Sequence, residues 1–456
     1  MHLISQTLIL LSWLVYNIIK AHNLRDQCES NLVVPDGMEY QSRRQKVVNE
    51  MEYTTYVVKE SNTKLSSRRD IIKKDRMLAT YDHELIFRIQ QNNEDRIEEI
   101  LKDVSDPNSA NYGQHLSQEE VSAITDNPVS REFTLTYLAA VGATVIAETL
   151  SGEYLTARAS IRVWEELLDT EFYEFHYRES DSASTKKIVR AETYSVPISL
   201  NNHVASIFNT IQMPTKIYAK PIITRIPDEK LNSTSSIQAK NAAGFINPAI
   251  LKERYAVGSA LGSEQATQAA YETIGQYFSP ADLKMFQSTF MLEEEPIAFD
   301  IGGHSSDSVC VTSPSSCVEA NLDIQYLMAI SSRSPTTHWY TNSNSFAAFL
   351  VAVANIERPP LVISISYGAD EGDMSRSEFD AFNFQAMKLG VMGVTILAAS
   401  GGNDGFNLSA LSYLYFRICM TLIYILLQMM VHQVLWQEVT QISVDICLFF
   451  QQAVLM

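Results

Sequence analysis

Two carboxylates, Glu319 and Asp323, stand four residues apart in the mostly apolar segment "CVEANLDIQYLMAIS", residues 317–331. Residues at that spacing share a helix face, so the pair repels by roughly 0.2–0.5 kcal/mol even in water. The positions that could relieve them, Ser315, Ser316, Tyr326 and Leu327, carry no positive charge. Held close together, two such acids suit proton chemistry. Like charges push one pKa upward, and a carboxyl poised in that way can accept a proton and return it. From these residues alone, a solvated acidic helix face is the plain alternative. Cys310 and Cys317 flank a short loop just before the pair and could close a disulfide beside it. No spacing of Cys or His along the chain resembles a metal site.

The elements that must carry this pair belong to a long chain. At 456 residues and 46% hydrophobic content it can hold two or three domains with cores of their own. A net charge of −18 argues against nucleic acid as a partner, because phosphate binding needs clustered Lys and Arg. The same balance suits work at low pH, where protonation relieves self-repulsion. Residues 1–22, "MHLISQTLILLSWLVYNIIKAH", hold an apolar core from Leu8 to Ile19, the length of a signal-peptide core. Entry into the secretory pathway is therefore expected. Five cysteines in such a protein leave one thiol over, or mean that part of the chain is missing.

Residues 23–79 read as a polar, solvated lead-in with the basic clusters "SRRQK" and "SSRRDIIKKDR". From Thr80 to Met213 strands alternate with amphipathic helices, which predicts a compact α+β domain with an antiparallel sheet. Residues 214–244 have a linker composition, with Asn232 in a glycosylation sequon. A second globular region spans 245–405. Its clearest unit is "LVISISYG", a buried strand, then a helix opened by the capping box Ser375/Glu378 and closed by Gly390, then the buried strand "VTILAAS". Phe379, Phe382, Ala386 and Leu389 are the expected buried stripe of that helix. Strand, helix and strand within forty residues imply a parallel βαβ unit. The acidic loops after its strands then lie where parallel sheets bind ligands.

The runs "PAILKERYAVG", "QYFSPADLKMFQ", "EANLDIQYLM", "VISISYG" and "GVTILAASGG" follow one another in a specific order. With "SDPNSANYGQHLSQEEV" and "EYLTARASIRVWEELLDTEFYEF" upstream, they resemble the sedolisin family of serine-carboxyl peptidases, in its tripeptidyl-peptidase-like branch, over about residues 80–405. The resemblance implies a propeptide or activation domain over 80–213, with a ferredoxin-like antiparallel sheet and helices. An incomplete subtilisin-like α/β domain with a parallel sheet would follow. It also implies a Ser-Glu-Asp triad in which Glu319 is the base and Asp323 its partner, acting on peptide or protein substrates at acidic pH. The activation domain would be an intramolecular partner and inhibitor.

Other expected parts of that site fit less well. The family's oxyanion Asp falls in a turn that here reads "SGGNDG", where Gly402 or Asn403 aligns and Asp404 is the candidate. The family's serine run, G-T-S-A-S, does not occur in the sequence, and Ser259, Ser263 and Ser305 are read as turn residues. Complete family members are expected to bind calcium, but no ligands for it can be assigned in this chain. Residues 406–456 form a hydrophobic tail unlike the family, expected not to be the domain's own continuation. Membrane association through Ile418–Trp436 is the less favoured reading, because Gln428, His432 and Gln433 interrupt the span. The competing functional expectation is a non-catalytic homologue that binds and inhibits related peptidases through its propeptide.

Overall fold

A computed structural model describes residues 40–47, 50–62, 68, 70–177, 187–215, 217, 246–343, 345–369 and 374–399, with side chains from residue 55 onward. The expected signal segment, Asn232, Asp404 and the 406–456 tail lie outside the described residues. The chain divides into two compact units, one of Met1–Arg96, Ser122–Pro214 and Glu371–Asp380, the other of Ile97–Val121, Thr215–Asp370 and Ala381–Met456.

The first unit is built on strands β1 (Tyr40–Val47), β2 (Glu50–Ser61), β3 (Ile71–Arg76), β4 (Asp82–Ile89), β5 (Thr144–Glu148), β6 (Tyr154–Ser160), β7 (Tyr173–Tyr177), β8 (Ile188–Arg190), β9 (Thr193–Pro197) and β10 (Val204–Phe208). Helices α1 (Glu94–Ser105), α2 (Gln118–Thr125), α3 (Pro128–Ala140), α4 (Ile161–Leu168) and α5 (Ile198–Asn201) lie between them in sequence, with Ile97–Val121, most of α1 and the first half of α2, counted in the second unit. The central sheet has the order β10-β4-β6-β5, antiparallel throughout. Numbered along the chain, that order is fourth, first, third, second, the split βαβ arrangement of a ferredoxin-like sheet. Alternation along β4 turns Leu85, Phe87 and Ile89 into one core with Trp164 and Leu168 of α4. Trp164 satisfies its indole N–H on the His83 carbonyl at 2.9 Å, which ties α4 to β4.

The reading of 23–79 as a lead-in is corrected here. Strand β2 pairs with β1 and β9, and β3 pairs with β7, so residues 50–61 and 71–76 belong to folded sheets. Tyr56 and Val57 are buried and Tyr56 donates to the Glu166 carbonyl. A boundary at Thr80 therefore falls too late. The charges misled the reading: Lys59 reaches the carbonyl and side chain of Asn201, and in β3 only Ile71 is buried.

The second unit contains α6 (Pro248–Arg254), β11 (Gln268–Glu272), α7 (Pro280–Thr289), β12 (Phe299–Ile301), α8 (Asp307–Thr312), α9 (Val318–Ile330), β13 (Thr336–Tyr340), α10 (Phe346–Ala354), β14 (Val362–Ile365) and β15 (Thr395–Ala398). Helix α11 (Arg376–Val391) joins the last two strands. All pairs in its five-stranded sheet, β12-β13-β11-β14-β15, are parallel. Every residue of β11 and β13 is buried, as expected of central parallel strands covered on both faces. The expected βαβ unit is β14-α11-β15, with Val362 opposite Thr395. Its capping box is present: Ser375 N–H donates to Glu378 Oε2 at 2.9 Å and Glu378 N–H to Ser375 Oγ at 3.3 Å. The expected stripe is only partly right. Leu389 is deep, but Ala381 and Phe384 replace Phe379 and Phe382 as the innermost residues, because Gln385 and Lys388 are buried too and the helix is covered on more than one side.

Candidate active site

Helix α9 buries Ala320, Ile324 and Met328 against Ala270, Phe278 and Leu283. Glu319 and Asp323 form the adjacent row of the same helix, one residue earlier at each turn, so packing of the apolar row carries both acids inward. Glu319 is 9% exposed. Part of Asp323 reaches the surface, but its carboxyl is inside, with Oδ2 out of contact with solvent.

A third acid joins them. Glu272, the last residue of β11, is fully buried. Tyr367, just past the carboxyl end of the neighbouring strand β14, donates to its Oε2 at 2.6 Å. Glu272 Oε1 and Asp323 Oδ2 have no hydrogen-bond partner of good geometry among the described residues. The four groups form a series, Tyr367, Glu272, Asp323 and Glu319, the first two at the ends of two adjacent parallel strands and the last two on α9. Glu319 is its open end, because no described residue hydrogen-bonds its carboxyl.

The electrostatics follow from burial. Burial is the main reason that the Glu319 carboxyl is pushed up to about 8, with the charge of Asp323 adding to it. Asp323 is pushed up to about 6 by burial, while hydrogen bonding from Ser366 and Glu272 favours its charged form and limits the rise. Glu272 is raised well above the ordinary range by burial first, then by Asp323. Burial thus favours the protonated form of Glu272, which can donate towards Asp323. Because Glu319 and Asp323 interact, the two values belong to the pair. Between about pH 6 and 8 the pair holds one proton, so in that window one carboxyl can accept while the other donates.

Sequence reasoning singled out Glu319 and Asp323 and missed Glu272, Ser366 and Tyr367. A glutamate closing the apolar strand "QAAYE" was the available signal. Cys310 and Cys317 are joined as a disulfide, with Cα atoms 5.5 Å apart. Ser259, Ser263 and Ser305 make no hydrogen bond to either acid among the described residues, and the Ser305 Oγ is buried without a partner. Among the described residues no group of three or more His, Cys, Asp or Glu could hold a metal ion. No helix among them is long and apolar enough to cross a membrane.

Residues 70–213, the stretch that holds the ferredoxin-like sheet, match the family described as "Pro-kumamolisin, activation domain". The chain carries a sedolisin-type activation domain. That match begins at residue 70, ahead of β3, in agreement with the corrected boundary. Over 334 residues the chain is 27% identical to tripeptidyl-peptidase 1 of Homo sapiens, covering 70% of this chain and 55% of that protein. Tripeptidyl-peptidase 1 of Macaca fascicularis is also 27% identical, over 338 residues, with the same coverage. Tripeptidyl-peptidase SED2 of Arthroderma otae is 25% identical over 373 residues, covering 73% of this chain and 61% of the relative. The chain thus spans little more than half the length of the curated relatives it matches. The aligned length is greater than the activation domain alone and reaches into the unit that holds the acids.

Proposed function

We propose that the chain is the precursor of a serine-carboxyl peptidase with a subtilisin-like catalytic domain, in which Glu319 accepts the serine proton and Asp323 holds and shares it. The observation that carries this reading is the series Tyr367, Glu272, Asp323 and Glu319, with its raised pKa values and its open end at Glu319. The likeness to tripeptidyl-peptidases makes removal of tripeptides from free N-termini the proposed activity, alongside endopeptidase action, in an acidic lysosomal or extracellular setting. The activation domain would be the intramolecular inhibitor. The serine would come from sequence not contained in these 456 residues, since no G-T-S-A-S run occurs in them.

The one-proton state of the pair lies between about 6 and about 8 here, less acidic than the proposed working range. A serine hydroxyl donating to Glu319 would favour its charged form and bring that window down. The test is release of N-terminal tripeptides between pH 3 and 8. The 456-residue chain is expected to show none, and turnover that Glu319→Gln abolishes would refute the missing serine. A version continued through a serine-bearing segment is expected to peak in acid and to lose roughly 10²–10⁴-fold in kcat with Glu319→Gln. Unchanged activity there removes Glu319 from its role.

A second reading rests on the self-contained core of the activation domain, from Met77 to Ile211. On that reading the chain is non-catalytic and inhibits related peptidases. Inhibition of an active tripeptidyl-peptidase by the full chain, with no turnover of its own, supports it.

A further inference from the structure

The first turn of α9 lacks the usual side-chain cap. Its N-cap residue is Cys317, whose sulfur makes no capping hydrogen bond because it is bonded to Cys310 of α8. Helix starts leave backbone N–H groups without partners, and uncapped first turns fray. Here other groups serve. Gln276, in the loop after β11, accepts the Glu319 N–H on Oε1 at 3.1 Å, and its own amide donates to the Ser315 carbonyl at 3.4 Å. Tyr277 N–H donates to the Ser316 carbonyl at 2.7 Å. Asn321 accepts from Ser279 N–H and donates to Asp282 Oδ2, both at 2.9 Å. Asp307, which opens α8, accepts from Ser279 Oγ at 2.9 Å and Ala281 N–H at 3.0 Å. The covalent bridge closes this set of contacts two residues before Glu319, with both sulfurs buried.

We infer that the Cys310–Cys317 bridge, together with Gln276, positions Glu319: it holds the first turn of α9 shut, so that the carboxyl stays with Asp323 and Glu272 instead of swinging into water. This rests on the reading of Glu319 as the base of the proposed peptidase. The charged or titratable groups facing Glu319 are Asp323 on its own helix, Glu272 on β11 and Tyr367 after β14. The effect should be selective. Asp323 lies one turn deeper, next to Ile324 in the core.

Coupling between the bridge and the proton on Glu319 must be reciprocal. If the bridge keeps Glu319 buried, protonation of Glu319 favours the bridged form. As pH rises through the titration of Glu319, the bridge then becomes easier to reduce than chemistry alone dictates. The test equilibrates the full chain with glutathione and its disulfide between pH 6 and 9. Two glutathione thiols supply the two electrons and two protons that convert the bridge to two thiols, and one glutathione disulfide is released. Cys310 and Cys317 are followed by differential alkylation and peptide mass spectrometry.

The wild-type equilibrium constant is expected to move towards the dithiol by at least about tenfold more across that range than the constant of Glu319→Gln. Identical pH dependence in the two chains would overturn the proposal. As a second measurement, ¹³C NMR of carboxyl-labelled Glu and Asp in Gln276→Ala, which leaves the sulfurs alone, should show the Glu319 midpoint lowered by clearly more than the Asp323 midpoint moves. Equal movement of both, or of neither, counts against positioning. None of these readouts needs turnover, so their failure leaves the activity test of Glu319 intact.

Discussion

The Tyr367 hydroxyl donates to Glu272 Oε2 across 2.6 Å, and this is the one well-formed hydrogen bond that the Glu272 carboxyl makes among the described residues. The hydroxyl favours the charged form of Glu272 and so opposes the rise that burial imposes. Tyr367→Phe keeps the ring and removes the donor. Glu272 Oε2 is then buried without its donor, at a cost of roughly 1–3 kcal/mol, and the group holds its proton more tightly still. Hydrogen exchange at the β11 and α9 amides should show faster opening in the variant. Combining it with Glu272→Gln should give less than the sum of the two single losses, because the partners are in contact. Exchange identical to wild type from pH 5 to 8 would mean that the hydroxyl does not support the site.

The acid pair makes the stability of its helix depend on pH, and the direction follows from proton counts. Glu319 is pushed up to about 8 in the folded chain, from an ordinary value of 4.5. Between those values the unfolded chain has lost the proton and the folded chain keeps it. The contribution is therefore fully present below about 4.5 and is lost as pH rises towards 8, at a limiting slope of roughly 1.4 kcal/mol per pH unit. Because the chain has two units, a single unfolding free energy is not the right measure. Exchange at α9 amides, corrected for its intrinsic pH dependence, should accelerate across this window in wild type. In Glu319→Gln the profile should be flatter, and a profile as steep as wild type removes Glu319 as the cause.

What could be read from the sequence, and what could not, follows from how local each signal is. For Glu319 and Asp323, spacing alone fits a solvated acidic face as well, and only the resemblance to the sedolisin family favours a paired role. That the two share a helix face was legible because a four-residue spacing is a helix property. Helix α11 was legible for the same reason, since Ser375 and Glu378 satisfy each other's backbone N–H groups. Glu272 was not, because a glutamate closing an apolar run looks like a strand leaving the core. Only the pairing of β11 with β14 brings Tyr367 beside it. Strand β2 was hidden by its charges. Its partners, β1 and β9, include a strand more than 130 residues away, as the pairing of Tyr56 with Pro197 shows. The bridge between Cys310 and Cys317 was suggested by spacing, but its relation to Glu319 depends on Gln276 arriving from another loop.

The activation domain should respond to acid in the opposite sense. His83 on β4 packs edge-on against Phe172 with ring centroids 5.5 Å apart, and its Nε2 lies 3.0 Å from the Asn209 carbonyl. Burial pushes its pKa down to about 4; the Asn209 carbonyl opposes this, the charge of Arg190 lowers it further and Glu84 raises it. The folded ring therefore stays neutral while the unfolded chain, with an ordinary histidine near 6.5, takes up a proton. Its contribution is complete above 6.5 and drains away as pH falls towards 4, again by at most roughly 1.4 kcal/mol per pH unit. Exchange at β4 and β6 amides should thus accelerate on acidification, over the range in which α9 becomes more protected. His83→Gln keeps an N–H for the Asn209 carbonyl and cannot be protonated, so it should remove most of the acid-induced opening without changing protection at pH 7.5. If the variant opens in acid as readily as wild type, the acid sensitivity of this domain lies in groups other than His83.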